Sequence, residues 1–169
     1  DRPRYGLLAD WFTYKRPLRT GLTPLQTLIQ EYGGLLSPED LAGYQRLTHS
    51  IISAFEVLEV VPDRSITVRD LRDDQVYTVT EKRATHQMAR GYLLSAHILP
   101  LPNEYRFTGA LAPWPSLLKE QVAAFLSDLV ASGKGPATVE FIPTLERARR
   151  SAYMEGTDAH RLERAIQLY

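Results

Sequence analysis

FEVLEVVPDRSITVRDLRDDQVYTVT, residues 55–80, is the stretch whose pattern decides the fold. Within it Phe55 to Val61, Ser65 to Leu71 and Gln75 to Thr80 are rich in β-branched and aromatic residues alternating with polar ones, the period-2 pattern of half-buried strands. Pro62 stops the first run, and Arg72-Asp73-Asp74 is a polar turn between the second and third. Two further runs follow. Tyr92 to Leu99, introduced by Gly91, is nearly continuous in apolar content and is expected at the centre of the sheet. Tyr105 to Gly109 is set off by the turn that Pro100 and Pro102 flank. Five strands in about sixty residues, joined by short connections, predict an antiparallel meander curled into a small barrel-like sheet of SH3-like or oligonucleotide-binding (OB-like) type over residues 51–114.

Outward from this centre the period returns to 3.6 on both sides, so the chain is expected to be α+β. Residues 1–50 form a helical lead-in. Leu7, Leu8, Trp11 and Phe12 share a face of a first helix that Pro17 stops. Thr23-Pro24 is an N-cap followed by proline, and Leu25, Leu28, Ile29 and Tyr32 then repeat as one apolar stripe up to Gly33-Gly34. Ser37-Pro38-Glu39-Asp40 repeats the device with acids in the first turn, ahead of Leu41, Tyr44 and Leu47. Residues 115–169 are expected to be C-terminal helices packed on the sheet, the three spans forming one fused domain. Leu118, Val122, Phe125, Leu126 and Leu129 mark the first of these helices, and Ser132 to Pro136 reads as its stop and as a linker. Residues 139–142 are expected to be extended, because Ile142 precedes Pro143. A helix from Pro143 to Gly156 and a last one carrying Leu162, Ala165, Ile166 and Tyr169 complete the chain.

Composition excludes several chemistries. The 169 residues contain no Cys, which removes disulfides, thiol nucleophiles, Cys-ligated zinc and iron–sulfur clusters. Twenty basic residues balance twenty acidic ones, and the balance holds within each span, so no segment is a polyelectrolyte partner for nucleic acid or anionic lipid. No apolar run approaches the roughly 20 residues of a membrane span, and no signal peptide opens the chain, so a cytoplasmic address and no membrane partner are expected. A start at Asp1 rather than Met is what a piece of a longer protein would show.

Several phrases match a known pattern. Asp10-Trp11-Phe12, Arg16-Pro17-Leu18 and Thr23-Pro24-Leu25 resemble the opening of an uncharacterised bacterial segment found in proteins that carry the SEC-C zinc motif. Leu36 to Leu41 is similar to its LSPEE helix start, Phe55 to Val60 to its EVLEV strand, Ile66 to Leu71 to its LRDL strand, and Gly91 to Pro100 to its GDLLLARLLP stretch. The resemblance covers residues 10–113 and implies no reaction. Without cysteine the zinc motif itself is missing, so no metal or recruiting role carries over, and the segment after Trp114 has no counterpart.

Candidate chemistry is sparse. A metal site would have to use His49, His86, His97 and His160 with carboxylates. His160 and Glu163 stand one helical turn apart, which a solvated face explains equally, and His97 on its apolar strand is expected to meet a backbone carbonyl at the sheet rim. No nucleophile elbow, Ser-x-x-Lys, His-Glu-x-x-His or phosphate loop is present, and Glu81-Lys82 are adjacent, so they face opposite sides of a strand. Glu56 and Glu59 also face opposite sides. Asp70 shares the parity of Ile66 and Val68, so it points inward and requires a partner from Arg69, Arg72, Arg83 or Arg90. No catalytic residue, metal ligand or cofactor is therefore expected.

Binding readings have more support. Arg69, Arg83, Arg90 and Arg106 with Tyr77 and Tyr92 interleave cations and aromatics on the β unit, the arrangement on which single-stranded nucleic acid stacks and tracks its phosphates. Trp114, held between Pro113 and Pro115, is an aromatic suited to anchoring a partner or the flanking helices, as is Trp11-Phe12. The expected function is a non-catalytic interaction module for a protein partner in a bacterial cytoplasmic protein. Weak single-stranded nucleic-acid binding by the β unit is the alternative, and an enzyme of unrecognised type comes third.

Overall fold

A computed structural model of the chain describes residues 2–136, 138 and 141–151. Three helices lead in: α1 (Arg2–Tyr14), α2 (Pro24–Tyr32) and α3 (Pro38–Leu47). Local chemistry fixes two of their starts. Thr23 Oγ1 accepts from the Gln26 amide at 3.2 Å while Gln26 Oε1 accepts from the Thr23 amide at 2.9 Å, a reciprocal capping box with Pro24 at the first position, where its missing N–H is not needed. Ser37 Oγ caps α3 through the Asp40 amide at 3.1 Å, and Glu39 and Asp40 lie in the first turn, where the helix dipole favours anions. Gly33-Gly34 does not stop α2 outright, because the chain continues through a 3-10 turn over Gly33–Leu35.

The strands are β1 (Ile51–Val61), β2 (Ser65–Asp70), β3 (Val76–Thr80), β4 (Leu93–Pro100), β5 (Tyr105–Phe107) and β6 (Ala112–Trp114). The first five close into a barrel in the cyclic order β1-β2-β3-β5-β4-β1, and β6 adds to the outer side of β4. The expected α+β chain with a small barrel flanked by helices is what the structure has. Two details of that expectation are corrected. The barrel is mixed, since β3 and β5 pair in parallel through Val79 and Tyr105. Strand directions must alternate around an all-antiparallel ring, and an odd number of strands cannot do so, so closure itself forces one parallel pair. Nor is the sheet a meander: β4 passes over to β1, and β5 fills the gap between β4 and β3, the Greek-key order of the OB type rather than the SH3 type.

Two cores lie on either side of one wall. Phe55, Val57, Ile66, Val68, Val79, Leu94, Ala96 and Ile98 fill the barrel. On the outer side of β1 and β4, Ile52, Ala54 and Leu93 meet Trp114, Trp11 of α1, and Val122, Leu126 and Leu129 of α4 (Lys119–Ala131). β4 is thus buried on both faces, which explains its nearly unbroken apolar run. The second core draws on residues of all three spans of the chain.

α4 ends as a Schellman motif: Gly133 adopts φ 75°, and the amides of Lys134 and Gly133 return to the carbonyls of Leu129 and Val130. The segment beyond it is pinned, since Trp11 Nε1 donates to the Pro136 carbonyl at 3.0 Å. Residues 141–151 are helical, so Ile142 is not extended as its place before Pro143 predicted. Phe141 and Ile142 are buried in the second core. Residues 139 and 140, Gly156 and the final stripe from Leu162 to Tyr169 lie outside the described residues. No helix among the described residues is long and apolar enough to cross a membrane.

Candidate functional site

The barrel wall uses most of its own charges. Arg69 stands opposite Glu56 in the β1–β2 ladder, and its guanidinium bonds the Glu56 carboxylate. Lys119 Nζ reaches the other carboxylate oxygen at 3.2 Å, which ties the start of α4 to the wall. Burial pushes the Glu56 carboxyl up, but the hydrogen bonds and charges of Arg69 and Lys119 outweigh it and hold the group below the usual carboxylate range. Arg106 Nε bonds Glu104 Oε1 at 2.7 Å. Two candidate cations, Arg69 and Arg106, are therefore already neutralised.

The aromatics divide similarly. Tyr77 shares the inward parity of Val79 and packs edge-on against Phe55 and Tyr105, with ring centroids 6.4 and 5.3 Å away. Trp114 is buried, with Nε1 donating to Ser95 Oγ at 2.8 Å, so it anchors β6 to the second core instead of offering a surface. Trp11 is buried as well, while its neighbour Phe12 stays exposed under the Arg16 guanidinium.

Arg83, Arg90 and Tyr92 are exposed, all on the connection between β3 and β4. That connection is well fixed. Glu81 Oε1 accepts from the amides of Lys82 and Ala84, Thr85 Oγ1 accepts from the Asp63 amide at 3.1 Å, and His86 Nε2 lies 2.8 Å from Asp63 Oδ1. Gly91 takes φ 86°, which an L side chain rarely adopts, and the Gly91 amide and Tyr92 carbonyl both bond Val57. Tyr92 borders a groove of about 290 Å³ lined with Met88, Leu111 and Pro113.

Two polar groups of the wall are fully buried. Asp70 is fully buried; Ser53 Oγ donates to Oδ1 at 2.5 Å, the Arg72 amide to the same oxygen at 2.9 Å, and Arg72 Nη2 to Oδ2 at 3.2 Å. Arg72 is thus the partner that its inward parity required. Burial pushes the Asp70 carboxyl up, against the pull of Ser53 and Arg72. His97, expected to meet a carbonyl at the sheet rim, is instead fully buried on the outer face of β4, with Nδ1 3.4 Å from Asp10 Oδ2 and the Tyr14 ring edge-on at 4.9 Å. The described histidines lie apart, and no group of three His, Asp or Glu side chains able to hold a metal occurs among the described residues. His160 and Glu163 lie outside them. In the basic run near the end, Arg149 bonds Glu146 at 2.9 Å.

The feature that sequence reading missed is on α2. Its stripe of Leu25, Leu28, Ile29 and Tyr32 reads as one buried face, yet only Leu25 is buried. Leu28 is 40% and Tyr32 54% exposed one turn apart on α2, and Leu35, in the 3-10 turn that follows, is 84% exposed, so three large apolar side chains are left uncovered at the end of α2 and just beyond it. The signal was present as an apolar face too broad for the contacts α2 makes. Compared with protein-family models, curated proteins and solved structures, the chain matches none of them.

Proposed function

We propose that the chain is a non-catalytic interaction module of a bacterial cytoplasmic protein, docking a protein partner on Leu28, Tyr32 and Leu35. Their exposure carries this reading: large apolar side chains left bare at the end of α2 and in the turn after it are the elements that a partner's apolar groove buries. The engagement of Arg69, Arg72 and Arg106 by neighbouring carboxylates is in keeping with it, since those three cations are spent on holding the fold. The resemblance of residues 10–113 to a segment that accompanies the SEC-C motif, and implies no reaction, is in keeping with it. Affinity capture with the native chain and with a Leu28→Glu, Leu35→Glu variant tests the reading. A defined partner lost on substitution, with the thermal transition unchanged, is expected; an identical captured set from both would refute it.

Weak single-stranded nucleic-acid binding is a second reading. Arg83 and Arg90 are exposed without an ion pair among the described residues, and Tyr92 beside them is 46% exposed. An OB-type barrel order is only an analogy here, because folds host many functions. Binding of an oligonucleotide at low salt that weakens steeply as salt rises and is lost on Tyr92→Ala would establish it; no binding at low salt would end it.

A further inference from the structure

We propose that the docking of α1 on the barrel is a pH-sensitive latch, closed while His97 is neutral and released when its imidazole takes up a proton from water. The ring lies fully buried on the outer face of β4, and neither nitrogen has a hydrogen-bond partner among the described residues. Its surroundings are supplied mainly by α1. Asp10 Oδ2 is 3.4 Å from Nδ1, too long for a good hydrogen bond, and Tyr14 covers the ring edge-on. Asp10 is already engaged as the acceptor of the Thr108 hydroxyl at 2.5 Å. Lys15, the residue after α1, adds a positive charge, with Arg72 beyond it. From β1, Ile52 lies opposite His97 in register and is apolar, and after β5 the Thr108 amide bonds the His97 carbonyl at 3.1 Å.

An imidazolium here would be a buried cation with one shared carboxylate against it and a lysine beside it. Burial is the larger effect and disfavours the charged ring, Lys15 adds to it, and Asp10 opposes both without overcoming them. The docked state therefore favours the neutral ring, and docking weakens as pH falls below the ordinary histidine range. Release can be local. The barrel interior contains no α1 residue and its ring closes through strand pairs alone, so lifting α1 uncovers Leu7 and Trp11 without opening that core.

Hydrogen exchange of α1 amides, corrected for intrinsic rates and compared with the β2–β3 hairpin, reads the latch. Between pH 7 and pH 5 the docked fraction relative to the released one should fall by up to about 25-fold, the limit when the released ring titrates near 6.5 and the docked ring does not titrate at all. A fall of fivefold or more confined to α1, and flattened in His97→Asn, is the expected result. Constant α1 protection, or the same fall in the variant, would overturn the proposal. Should His97→Asn fail to fold, ring titration by NMR on the native chain decides. His97 should titrate below the ordinary histidine range, and a value within or above that range would overturn the latch.

Discussion

Asp70→Ala is the perturbation that most sharply separates a structural carboxylate from a functional one. The side chain is fully buried and receives three hydrogen bonds, from Ser53 Oγ, the Arg72 amide and the Arg72 guanidinium. Removing it leaves the buried Ser53 hydroxyl without its acceptor, a loss of about 1–3 kcal/mol, and forfeits bonds to a charged group. Arg72 is not stranded, because it is partly exposed and keeps Asp73 at 2.8 Å, so the full penalty of an orphaned buried charge does not apply. The net cost is about 3 kcal/mol, equivalent to a fall of roughly 6–12 °C in Tm for a chain of this size. Asp70→Asn keeps the shape and one acceptor oxygen for Ser53 and the Arg72 amide but sets its NH2 against the Arg72 guanidinium, so it should cost about 1–2 kcal/mol, less than Asp70→Ala. Thermal and urea unfolding at pH 7 measure both. The reasoning fails if Asp70→Ala is neutral or stabilising, as removal of a functional buried acid often is, or if Asn is as damaging as Ala.

Three other outcomes follow from the packing and titration. A Cβ at Gly6 would stand 2.8 Å from Ala110 Cβ, so Gly6→Ala should lower stability by about 1–3 kcal/mol, and Ala110→Gly in the same chain should restore much of it in urea unfolding. Trp114→Phe removes the buried bond to Ser95 and should cost about 1–2 kcal/mol, with a double-mutant cycle against Ser95→Ala showing the two changes to be coupled. Burial, helped by Arg72, lowers the Lys15 ammonium to about 8 from its ordinary value, 10.5. A lowered lysine binds fewer protons folded than unfolded between those values, so its contribution to stability rises from pH 8 to pH 10.5 and is lost as pH falls through that window. Lys15→Met should remove that slope in denaturation measured across the range.

Much of the architecture is written in local sequence. Alternation over residues 55–80, the caps at Thr23 and Ser37 and the stripe of α4 each encode an element through its own side chains, so each could be read without its neighbours. What escaped reading depends on distant partners. The passage of β4 back to β1 is a pairing between residues about forty apart, and no periodicity announces it. β6 is three residues long with Pro113 at its centre, and becomes a strand only because β4 has a free edge there. The surroundings of the candidate surface residues escape reading for the same reason. Alternation shows that Arg69 points out but not that Glu56 faces it across the ladder, and the prolines around Trp114 show an extended backbone without saying which side the indole takes. Tyr77 was more legible, since it shares the parity of Val79. On α2 a helical period shows that an apolar face exists, whereas only packing shows that half of it is left bare.

The most direct measurement places a photo-crosslinking residue at position 35 of the native chain in cells, with a second chain carrying it at the exposed position 75 as the reference. A discrete adduct with one partner protein from position 35, absent from position 75 and lost when Leu28→Glu is added, is the predicted result. Adducts that are the same from both positions, or unaffected by Leu28→Glu, would contradict the claim that the end of α2 and the turn after it bind a protein.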